Sequence, residues 1–84
     1  MKSMKRELNL NCPWLISEEK PVQFVRWLVS ENDPIEIDQD ILVVLLDNGE
    51  FIVPSPVDGI LQTIMVEPGD IIAPDQVLAI IMID

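Results

Sequence analysis

The chain has 84 residues, 49% of them hydrophobic, and a formal net charge of −10. That length allows one small domain with a barely sufficient core, and the apolar content excludes a disordered tail. The acidity argues against nucleic acid or an anionic membrane as a partner, since both repel such a surface. A single cysteine, Cys12, makes no internal disulfide, which favours a reducing compartment. The basic start, Met1-Lys2-Ser3-Met4-Lys5-Arg6, leads into no apolar stretch of signal length. No run approaches the length of a membrane span, so a soluble, cytoplasmic protein is expected.

Taken in order, residues 1–7 are expected to be weakly ordered, leaving 8–84 as the domain. Prolines at positions 13, 21, 34, 54, 56, 68 and 74 leave room for a long helix only between Pro34 and Pro54. A β-branched run fills that interval and predicts strands instead. Short strands are therefore predicted from Leu8 to Cys12 and from Val22 to Val29. In the second of these, Phe24, Val25, Trp27 and Leu28 load both faces and blur the alternation. Asn32-Asp33-Pro34 is a turn and Ile35–Ile37 a brief strand. Ile41–Leu46 and Phe51–Val53 read as the arms of a hairpin around Asp47-Asn48-Gly49-Glu50, because Asn-Gly between apolar runs suits a two-residue turn with positive φ. Gly59 opens a strand through Val66, Pro68-Gly69-Asp70 turns, Ile71-Ile72 is short, and Val77–Ile83 closes the chain.

An internal repeat organises these strands. A shift of 37 residues places Val29 on Val66, Asp33 on Asp70, Ile35 on Ile72, Asp38-Gln39 on Asp75-Gln76 and Asp47 on Asp84. The apolar runs Ile41–Leu46 and Leu78–Ile83 superpose as well. A half of this size buries no core alone, so two copies must pack together. The expectation is an all-β barrel or sandwich with approximate two-fold symmetry and about four strands per half.

The chemistry-bearing residues are few. Histidine and tyrosine are absent from the composition, which removes the commonest general base and metal ligand. Cys12 has no activating histidine and reads as a small hydrophobe. Asp47-Asn48-Gly49-Glu50 echoes a fragment of a calcium loop without the other ligands at their spacing, so no metal is assigned. Trp27, inside an apolar strand, reads as core, and Trp14 as a core lid or a contact residue. Met65 and Met82 read as packing residues. Catalysis by this chain alone is not expected.

Several motifs together resemble the lipoyl domain of the acyltransferase subunits of 2-oxo acid dehydrogenase complexes, within the wider biotinyl/lipoyl-attachment family. Pro13-Trp14-Leu15 followed by Trp27-Leu28-Val29, then Val53-Pro54-Ser55-Pro56-Val57-Asp58-Gly59, Val66-Glu67-Pro68-Gly69-Asp70 and Asp75-Gln76-Val77-Leu78 carry the resemblance, from Pro13 to about Met82. It implies a flattened eight-stranded barrel of two four-stranded sheets, the barrel-sandwich hybrid. It also implies a lysine at the hairpin tip that receives lipoate or biotin. With Gly59 matching the family's glycine eleven residues beyond that lysine, the acceptor position falls on Asn48. Asp47 matches the family's aspartate before the lysine, Gly49 stands where alanine is usual, and Asn32 replaces a glycine. The loop bearing Glu18, Glu19 and Lys20 is expected near the tip, with Lys20 a solvated loop lysine.

The expectation is a lipoyl-like, non-catalytic interaction or structural module without lipoate or biotin, docking through Asp47, Asn48, Gly49 and Glu50. The implied partner is a protein, with components of a 2-oxo acid dehydrogenase-type complex as candidates. The alternative is an acyl-carrier domain of such a complex in which the acceptor lysine has been substituted. The lipoyl-like segment of a membrane-fusion adaptor fits the second half alone, and the contiguous first half argues against it.

Overall fold

A computed structural model of the chain describes residues 6–11, 22–47 and 49–83. The eight strands are β1 (Arg6–Leu10), β2 (Val22–Trp27), β3 (Pro34–Ile35), β4 (Asp40–Leu46), β5 (Gly49–Pro54), β6 (Gly59–Ile64), β7 (Ile71–Ile72) and β8 (Ala79–Ile83). They form two antiparallel four-stranded sheets, ordered β1-β8-β6-β3 and β5-β4-β2-β7. Apart from the β4–β5 hairpin, every connection between consecutive strands passes from one sheet to the other.

The expected barrel does not form. Among the described residues neither sheet closes, and β1, β3, β5 and β7 remain as open edges. Two of those edges, β3 and β7, are two residues long, and Pro34 in β3 has no N–H to donate. Such edges are too short to carry a ladder across to the facing sheet. The molecule is an all-β sandwich of two open sheets.

The core lies between the sheets. Phe24, Leu42 and Val44 come from one sheet and meet Leu61, Ala79 and Ile81 from the other. Each fully buried Phe, Leu, Ile or Val side chain contributes roughly 1.5–3 kcal/mol. The blurred alternation of the second strand has a simple cause. A β-bulge between Phe24 and Arg26 inserts Val25, so Phe24 pairs opposite Val44 and Trp27 opposite Leu42. Both aromatic rings thereby turn inward, with centroids 5.2 Å apart. A second irregularity, between Asp40 and Leu42, lets both Ile41 and Leu42 reach the core.

The 37-residue repeat recurs as hydrogen-bonding detail. The Ser30 N–H donates to Asp33 Oδ2 (2.8 Å), and the Glu67 N–H donates to Asp70 Oδ2 (2.9 Å). The Glu36 N–H donates to Gln39 Oε1 (2.9 Å), and the Ala73 N–H donates to Gln76 Oε1 (3.1 Å). Asn32 (φ 74°) donates its N–H to Leu61 O (2.6 Å), while Gly69 (φ 96°) donates to Phe24 O (2.8 Å). The bulge in β2 returns in β6 between Leu61 and Thr63. Side chains that resemble backbone turns, repeated in register, thus fold the two halves alike.

Candidate functional site

The β4–β5 hairpin carries the residues singled out in the sequence. Its last pair is Leu46 with Gly49, so positions 47 and 48 lie between the strands. The sequence reading centred the turn on Asn48-Gly49 instead. Gly49 opens β5, and its φ of +143° lies in a region that L side chains rarely adopt. Asp47 is exposed. Glu50 sits opposite Leu45, and its Oε2 lies 3.9 Å from an Arg26 guanidinium nitrogen, with both side chains about half exposed. An exposed pair at that separation contributes little stability.

Position 48 itself lies outside the described residues, as do Glu18, Glu19, Lys20, Cys12 and Trp14. The structure therefore brings together Asp47, Gly49 and Glu50 of the expected set. Among the described residues, no group of three or more acidic or thiol side chains could hold a metal. No helix among them is long and apolar enough to cross a membrane.

Two other residues singled out in the sequence lie outside the hairpin, Gly59 on β6 and Trp27 on β2. Gly59 is a glycine for close approach: a Cβ there would meet the Met82 carbonyl oxygen and the Cγ2 atoms of Ile81 and Ile83 at 3.0 and 3.1 Å. Trp27 packs on the core as expected, and its Nε1–H donates to Val66 O (3.4 Å). Met65 departs from expectation. It follows the end of β6 and is 53% exposed rather than packed.

Sequence reasoning missed the outer side of the hairpin. Phe51 and Ile52, taken only as strand residues, are nearly half exposed on β5, and Arg26 pairs with Glu50 across the sheet. Alternation alone carries no sign that β5 is an edge, because edge position depends on which strand lies beside it.

The described residues thus form an all-β sandwich of two pseudo-equivalent four-stranded sheets with one tight hairpin. The chain matches the family described as "Biotin-requiring enzyme", the biotin/lipoyl domain, over residues 8–81, and it belongs to that family. Domains of this family are in general non-catalytic carriers. No curated protein matches the chain.

Proposed function

We propose that this chain is a lipoyl-like module that carries neither lipoate nor biotin and serves as a protein-interaction or structural domain. It docks through the β4–β5 hairpin, and components of a 2-oxo acid dehydrogenase-type complex are the partners its family suggests. The observation that carries this reading is the residue at position 48, between paired Leu46 and Gly49 and eleven residues before Gly59, which is asparagine. Attachment of either cofactor forms an amide at an exposed primary amine. A carboxamide is not nucleophilic, and the chain's lysines stand at positions 2, 5 and 20, none of them in the hairpin. The residues present do not fit the cofactor, so no transfer step is assigned.

The test is the intact mass of the protein co-expressed with lipoate ligase and, separately, with biotin ligase. An unmodified mass is expected from both, and an adduct on any residue would overturn the reading in favour of a carrier. Asn48→Lys is expected to become modified, which measures how far the rest of the hairpin is still recognised. The docking half of the reading is tested by affinity capture with the native hairpin and a shortened one. Partners indifferent to the hairpin would reject it.

A further inference from the structure

Among the four edge strands, β5 alone combines length with exposed apolar side chains. Its six residues include Phe51 at 40% and Ile52 at 49% exposure. The matching edge of the other sheet, β1, presents Arg6, Glu7 and Asn9 at its exposed positions. Sheet edges are usually blunted by charge, proline or shortness, and β5 has proline only at its last residue.

Its backbone is aimed for pairing. The Ser55 N–H donates to Gln39 O (2.8 Å) and the Ser55 carbonyl accepts from the Asp38 N–H (2.8 Å), so Ser55 faces the β4 side. In an antiparallel ladder the direction alternates, so Val53, Phe51 and Gly49 also face β4. Glu50 and Ile52 then turn their N–H and C=O groups outward. Among the described residues, no strand lies on that side.

We propose that β5 is a docking edge for an extended segment of a protein partner, apolar in its middle and basic at both ends, which adds as a fifth strand to the β5-β4-β2-β7 sheet. This deepens the interaction reading above and rests on it for the hairpin's role in contact. The occupant's chemistry follows from charge. Phe51 and Ile52 ask for apolar neighbours at the centre. Glu50 stands toward one end, while Asp40, paired opposite Pro54, and Asp58, whose Oδ1 accepts the Ile37 N–H (2.7 Å), stand at the other. Arg26 and Arg6 are the only cations among the described residues; Arg26 approaches Glu50 only to 3.9 Å, and the Glu50 side chain remains about half exposed to a second cation. A second copy of the chain brings another whole-chain net charge of −10, which disfavours it as the occupant. The six residues of β5 span about 17 Å, which matches a segment of similar length in extended form.

The experiment titrates the whole protein with a fluorescein-labelled peptide, Arg-Lys-Val-Thr-Val-Thr-Lys-Arg, at low salt, and follows backbone amide exchange by nuclear magnetic resonance. The Glu50 and Ile52 amides are expected to gain protection on binding. A peptide with glutamate in place of its basic residues, and one N-methylated at alternate amides, should each bind about tenfold more weakly or worse. Ile52→Lys should lower affinity by a similar factor, and the N-methylated peptide gives the same answer without altering the protein. Unchanged exchange at Glu50 and Ile52, or equal binding of the acidic peptide, would overturn strand addition. So would a sedimenting dimer with those amides already protected, which would give the edge to a second copy. A cofactor adduct in the mass experiment rejects the non-carrier reading instead, so the two failures are distinct.

Discussion

The two halves, residues 22–46 and 59–83, share a plan and part company at their edges. Each has a bulged strand, a turn locked by an aspartate, a two-residue strand, a turn locked by a glutamine and a long apolar strand. The strand beside the long apolar one differs. In the first half it is β5, next along the chain and rich in apolar residues; in the second it is β1, from near the start of the chain and charged. The interior of each half is thus held by one repeated solution, while the outer edges are free to diverge. Recognition is expected where the halves differ, which is the hairpin side.

The comparison can be strained most severely at the base of β6, where Gly59 occupies the place of Val22 in the other half. Gly59→Ala should cost about 2–3 kcal/mol, because the new methyl falls against the β8 backbone and two isoleucine side chains. The urea midpoint measures it, and an unchanged midpoint would show that β8 yields.

At the paired positive-φ turns the effect is smaller. Gly69→Ala is expected to lose about 1–2 kcal/mol, whereas Gly69→Asn, which copies Asn32, should lose less than half of that. Equal losses would show that asparagine at position 32 is tolerated for some reason other than its backbone conformation.

The turn carboxylates sharpen the equivalence itself. Asp33→Ala and Asp70→Ala each remove one acceptor from a backbone N–H and should each cost about 1 kcal/mol. The double variant should cost nearly the sum, since the turns are separate. Smallest of all, Glu50→Gln breaks only the exposed contact to Arg26 and should change stability by less than about 0.5 kcal/mol.

Much of this architecture is legible in the residues. The shared Asp and Gln positions predict the equivalent turns because those side chains bond backbone N–H groups locally, within three residues. The hairpin is legible as well, since Asp47-Asn48-Gly49 interrupts two apolar runs. Its register is not, because which residues pair last depends on the ladder that both strands join. The repeat left barrel and sandwich both open, and the family resemblance turned that into the expectation of a barrel. Closure requires every edge to find a partner, and two-residue strands at β3 and β7 leave theirs open.

The sequence by itself determined the repeat, the turns, the apolar strands and the asparagine at position 48, since each rests on side-chain type and local spacing. The tertiary structure decided which strands became edges, which apolar residues faced solvent and why Gly59 must be glycine. Those depend on what lies alongside in space. Ile52 and Val43 pair directly across β5 and β4, yet Val43 is buried in the interior strand and Ile52 is half exposed at the rim. No period in the chain distinguishes them.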